Sequence, residues 1–162
     1  MGDRTLPMEF HLHTHLRWST VLTMGGQTWQ PVTMQAIVLG PAPVFKKTAS
    51  INSVALGLEV AEFLDGAKAA LMRHHGAVTG EASVSDAFAR AIYLEQNVHR
   101  QYLALQIGTP QSLSEDECAV IGRNPARPVI LEKFRRTTSA NVFQKVFEPA
   151  WPRSGQTLHP RF

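Results

Sequence analysis

Phe10-His11-Leu12-His13-Thr14-His15 decides how the rest of the chain is read, together with Arg73-His74-His75-Gly76 further on. Five of the seven histidines lie in these two segments. In an extended strand, side chains at i and i+2 share a face, so His13 and His15 present two imidazoles side by side. A third imidazole from a distant turn completes a three-nitrogen set, which leaves one coordination position of a zinc-like ion open. A His-x-His pair by itself is more often a half-buried strand with satisfied polar groups than a metal site. The weight therefore falls on the flanks of the second segment.

Ala67 to Arg73 is a largely apolar stretch of strand length around Ala69-Ala70-Leu71-Met72, the pattern of a strand buried on both faces. His74 and His75 stand at its end, where the chain is expected to leave the sheet. Alternation sends these two side chains in opposite directions, so only one reaches a shared ion. Gly76 permits a tight turn beside it. Ser83 with Asp86 reads as a capping box. It opens a helix over 84–107, with Ala87, Ala91, Leu94, Val98, Tyr102 and Leu105 in a stripe at helical spacing. The stripe is read as core or subunit interface. Glu95 and His99, four apart, are expected to pair on the helix surface and are not assigned to the site.

The His-Thr-His strand, the apolar run ending in His75-Gly76, and the long helix carrying Leu94-Glu95 together resemble the class II aldolase/adducin family, including its fuculose-phosphate aldolase branch. His15 and His75 lie 60 positions apart, similar to the family's spacing, and the resemblance covers roughly residues 10 to 107. It implies an α/β fold, three-layer α/β/α with a central mixed, largely antiparallel sheet. It also selects His75 over His74, giving His13, His15 and His75 as ligands of a divalent metal. Zn2+ suits three imidazoles, with Mn2+, Co2+ or Fe2+ as alternatives. A cyclic homo-oligomer, a tetramer with the site between subunits, is the implied assembly.

The implied activity is that of a metal-dependent carbon–carbon lyase, an aldolase or decarboxylase, acting on a small oxygenated acid or sugar phosphate. Three neutral imidazoles leave the ion's charge intact, so it stabilises the enolate that forms as a carbon–carbon bond breaks. The alternative within the same family is a non-catalytic interaction domain like the adducin head. Family members carry a longer segment before the His-x-His strand, with a Gly/Asn/Ser loop for phosphate or carboxylate and an acidic acid/base residue. This chain begins about ten residues before that strand and is read as N-terminally shortened. Glu9, four positions before His13 and on the same expected face, is the nearest carboxylate and the one candidate acid/base.

Composition sets the outer bounds. At 162 residues, with 44% apolar and 18% charged side chains, the chain fits a single domain with a sizeable core. No apolar run approaches the ~18 residues that span a bilayer, and Met1 to Thr5 lacks the apolar core of a signal peptide. The lone Cys118 excludes an internal disulfide framework and suits a cytoplasmic setting. It sits in an acidic stretch unsuited to a nucleophile, and is read as structural. Residues 1–122 hold 8 basic and 11 acidic side chains, residues 123–162 hold 8 and 2. No nucleic-acid motif accompanies this basic end. Residues 1–122 are therefore read as the aldolase/adducin-like domain, and 123–162 as a basic extension belonging to the same domain or to a subunit interface.

The remaining elements follow from local signals. Residues 10–15 read as a strand, 17–24 as a short helix stopped by Gly25-Gly26, and Val32 to Leu39 as a strand ended by Gly40-Pro41-Ala42-Pro43. Val44 to Lys47 reads as a short strand, and 51–65 as a helix capped by Ser50 or Ser53 and ended by Gly66. Ser114 caps a helix to Ile121, and Leu131 to Phe147 reads as helical before an irregular tail.

Overall fold

A computed structural model describes residues 10–48, 50–64 and 66–123. Glu9, the expected helix over Leu131 to Phe147 and the tail lie outside these residues. The elements run β1 (Phe10–Thr14), α1 (Arg17–Met24), α2 (Ala36–Leu39), β2 (Val44–Phe45), α3 (Val54–Leu64), β3 (Ala69–Met72), β4 (Gly76–Glu81), α4 (Val84–Ile107) and α5 (Glu115–Gly122). The four strands form one sheet in the order β1-β4-β3-β2. β4 is antiparallel to both its neighbours, and β2 is parallel to β3.

Helices cover both faces of this sheet, which makes the three layers. Ala69, Leu71 and Ala77 pack with Leu22 of α1, Leu39 of α2, and Tyr93, Leu94 and Val98 of α4. The alternate positions Ala70, Met72 and Val78 turn to the other face and pack with Val60 and Leu64 of α3. Both core strands are thus buried on two sides, which explains why β3, Ala-Ala-Leu-Met, is apolar throughout. At the sheet's β2 end, Phe45 meets Phe63 of α3 edge-on, with ring centroids 5.2 Å apart.

Local chemistry places the helix ends where the sequence puts them. Ser83 Oγ accepts from the Asp86 N–H at 3.2 Å and opens α4. Ser114 and Glu117 form a full reciprocal capping box on α5. Ser53 Oγ accepts from the Leu56 N–H at the start of α3. α1 stops at Gly25.

Two expectations are corrected. Val32 to Leu39 is not a strand: it turns at 33–35 and forms the single-turn helix α2. The cause is a side chain from far away, since Asn97 Oδ1 takes the Val32 and Thr33 N–H groups that a sheet ladder would have used. The chain also does not leave the sheet at His74-His75. It reverses there and returns as β4, pairing Met72 with Gly76 and Ala69 with Thr79. A Gly-Ala-Val-Thr-Gly segment carries little strand signal of its own, and two-sided burial supplies the drive instead. Among the described residues, no helix is long and apolar enough to cross a membrane.

Candidate metal centre

β1 is a terminal strand of the described sheet, and its register on β4 fixes where its histidines point. His13 lies opposite Val78 and therefore faces the α3 side. His15 follows one residue after the strand ends, on the same alternation. Both stay exposed, while His75 is half-buried.

The third imidazole arrives through the β3–β4 reversal. His74 adopts φ +59°, the one non-glycine residue in the left-handed region among those described. The His75 N–H then donates to the Met72 carbonyl at 3.0 Å, closing the turn. The His74 N–H donates to Thr23 Oγ1 on α1 at 3.1 Å. Gly76 follows with φ +148°, where a Cβ would run into the Thr14 carbonyl and sit 3.1 Å from His15 Cα. The backbones of the two histidine segments touch at this point, and only glycine permits it.

As a result, three rings converge. Their centroids are 4.7 Å apart for His13–His15, 4.9 Å for His13–His75 and 4.4 Å for His15–His75. One ring nitrogen from each lies within 4.8 Å of the other two. A point equidistant from three atoms at that limit is about 2.8 Å from each, against about 2.0–2.1 Å for a zinc–imidazole bond. Ring rotations of under about 1 Å close the difference, so the donor set fits a single divalent cation with its solvent side open. Packing of the rings also affects protonation: partial desolvation, then the charges of His15 and His75, lower the His13 pKa below its ordinary 6.5. A neutral imidazole is the form that ligates.

α1 bridges the two segments. It begins right after His15 and Leu16, and its first free N–H groups are taken by a carboxylate from α4. Glu95 accepts from the Trp18 N–H at 2.5 Å and the Ser19 N–H at 3.0 Å. The expected surface pair with His99 is therefore corrected: Glu95 turns inward to serve a helix N-terminus. His99 instead stacks on Trp18, with centroids 4.1 Å apart and planes at 9°. Burial raises the Glu95 pKa, against the lowering by the Trp18 and Ser19 N–H bonds.

His74 is exposed and contributes its backbone rather than its ring. Sequence reasoning missed Thr23, and no local pattern marks it, because its partner is 51 positions away. Among the described residues the cluster contains imidazoles and no carboxylate. An apolar cavity of about 570 Å3 lies elsewhere, between Trp29, Ile37, Pro41 and Cys118, and no histidine lines it. Its size does not make it the site, since it gathers no ligating or acid–base groups besides Lys46 and Cys118.

Comparison with known proteins gives the family. The Class II Aldolase and Adducin N-terminal domain matches residues 6–102, and the chain belongs to this family. A 5-methylthioribulose-1-phosphate/5-deoxyribulose-1-phosphate aldolase of Rhodospirillum rubrum is 26% identical over 107 residues, covering 65% of this chain and 48% of that protein. An L-fuculose 1-phosphate aldolase structure superposes with a TM-score of 0.62 at 23% identity, over 69% of this chain and 53% of its own. Another, from Glaciozyma antarctica, gives 0.64 at 16% identity, over 86% and 53%. At these identities the structures speak for the fold. The chain spans about half the length of the curated relative it matches.

Proposed function

We propose that this chain carries the metal centre of a carbon–carbon lyase, an aldolase or decarboxylase, with His13, His15 and His75 holding one divalent cation. The observation that carries this reading is the convergence of three ring nitrogens within 4.8 Å, from segments 60 positions apart in sequence. Zn2+ is the proposed ion, because three imidazoles with an open fourth position suit its tetrahedral preference. When bound, such a cation supplies Lewis acidity to a substrate oxygen that gains negative charge as the carbon–carbon bond breaks.

The chain's own residues do the rest. The imidazoles ligate as neutral groups and leave the cation's charge undiminished. The exposure of His13 and His15 leaves a side open for a bidentate oxygen substrate. A small oxygenated acid or sugar phosphate is the proposed substrate, and the phosphorylated sugars named for the relatives support the second class. Glu9 is kept as the candidate acid/base, a homo-oligomer, by resemblance a tetramer, as the working assembly, and the cytoplasm as the proposed location.

Metal analysis of the purified chain tests the reading. About one equivalent of divalent ion per chain is expected, falling to below about a tenth in a His13→Ala/His15→Ala variant. A wild-type chain that takes up no divalent ion overturns it. Metal-dependent release of aldehyde or carbon dioxide from a panel of aldol products and hydroxy-acids then separates aldolase from decarboxylase.

A further inference from the structure

We infer that Thr23, on the helix that follows the His-x-His strand, is a positioning residue for His75: its hydroxyl holds the left-handed turn that delivers the third imidazole. The inference rests on the three-histidine cation reading and extends it to a residue that touches no cation.

The geometry is specific. Thr23 is 4% exposed and its hydroxyl is fully engaged. Oγ1 accepts from the His74 N–H at 3.1 Å and donates to the Thr20 carbonyl at 2.9 Å, so its lone pair is aimed at the turn. Residue 74 is held in the left-handed region with a side chain other than glycine, a conformation that persists only when its surroundings impose it. The turn's other amide bonds, Arg73 N–H to the Phe45 carbonyl and His75 N–H to the Met72 carbonyl, stay within the sheet and the hairpin. Among the described residues, the His74–Thr23 bond is the hydrogen bond that ties the turn to α1.

α1 is itself fixed at its start, where Glu95 takes the Trp18 and Ser19 N–H groups just beyond His15. One helix therefore references both ligand segments to each other: its first turn follows His15, and its last turn holds the residue before His75. Loss of the Thr23 hydroxyl leaves β1 and β4 paired through their own ladder. What it removes is the restraint on the backbone from which His75 projects.

Co2+ titration of the full chain, followed by visible absorption, tests this with three proteins. Thr23→Val, nearly isosteric, is expected to weaken Co2+ binding about 10–100-fold, the range for groups that orient a ligand, and to alter the d–d bands. Thr23→Ser keeps the hydroxyl and is expected to stay within about threefold of wild type in affinity, with the wild-type spectrum. Unchanged affinity and spectrum in a cooperatively folded Thr23→Val overturns the role of Thr23 alone. No Co2+ binding by the wild type removes the parent reading, and this inference with it. Should Thr23→Val fail to fold, hydrogen exchange of the wild-type chain decides. The His74 amide must exchange at least about 100-fold slower than a free peptide, and free-peptide exchange there overturns the inference.

Discussion

Gly76 lies so close to Thr14 that a Cβ placed on it would run into the Thr14 carbonyl oxygen, and no other residue fits between β4 and the end of β1. Both the contact and the φ of +148° select glycine. Gly76→Ala forces the strands apart next to His15 and His75. A loss of about 3 kcal/mol or more in urea unfolding is expected, together with loss of stoichiometric cation binding. A variant with unchanged midpoint and full binding would show that the close approach is dispensable.

On the proposed three-histidine reading, protons and a cation compete for the same nitrogens. The His13 pKa lies below 6.5 because of partial desolvation and then the nearby His15 and His75. The unfolded chain therefore takes up this proton at a higher pH than the folded chain does. The contribution of His13 to the stability of the metal-free protein is lost as pH falls below about 6.5, and the loss is complete once the folded value is passed. Thermal unfolding at about pH 7.5 and about pH 5.5 should show a larger drop in Tm for wild type than for His13→Ala. Equal drops contradict the account.

Most of this architecture was readable beforehand, for reasons that belong to particular residues. The long helix announced itself through the Ser83 cap and a stripe from Ala87 to Leu105, and α5 through Ser114 and Glu117. These are local signals, and local signals survive folding. The three ligand candidates came from i, i+2 alternation and from the resemblance that chose His75. Two of the misses share a different cause. Val32 to Leu39 reads as a strand until Asn97 captures its amides, and Glu95 reads as a surface partner of His99 until α1 presents its open N–H groups. In each case a side chain on α4 acts on backbone more than 60 positions away, which no window along the chain contains.

Glu95 gives that long-range capping a measurable form. Burial raises its pKa above the ordinary 4.5 even though it accepts two backbone N–H bonds. The folded chain then holds this proton more tightly than the unfolded one. Its contribution to stability is full below about pH 4.5 and is lost as pH rises through the folded value. The stability of wild type relative to Glu95→Gln should fall over that interval and level off above it, and a carboxyl NMR titration should find a midpoint above 4.5. A midpoint at or below that value would remove the burial argument. Glu95→Ala, which leaves two helix-start N–H groups unserved, is expected to cost about 1–3 kcal/mol at neutral pH.

Asn97 carries a heavier polar load. Fully buried, it accepts from the Val32 and Thr33 N–H groups and the Thr33 hydroxyl, and donates to the Gln30 carbonyl at 2.7 Å. Asn97→Leu matches its bulk but strands these partners. A loss of about 2–4 kcal/mol in urea unfolding is expected, with the region around 28–33 exchanging its amides faster. Gln101, which pairs with Gln30 N–H and the Thr28 carbonyl, keeps the outer end of that loop in place. A neutral result for Asn97→Leu would mean that water replaces the amide.

The β1–β4 ladder joins residues such as Thr14 and Ala77, 63 positions apart. Until that ladder zips, a nascent chain displays the His13–His15 pair as a two-toothed chelate with no third arm. On the proposed three-histidine reading, tight capture of a cation and completion of the sheet become one event, so metal uptake would double as a spectroscopic clock for the pairing of β1 with β4.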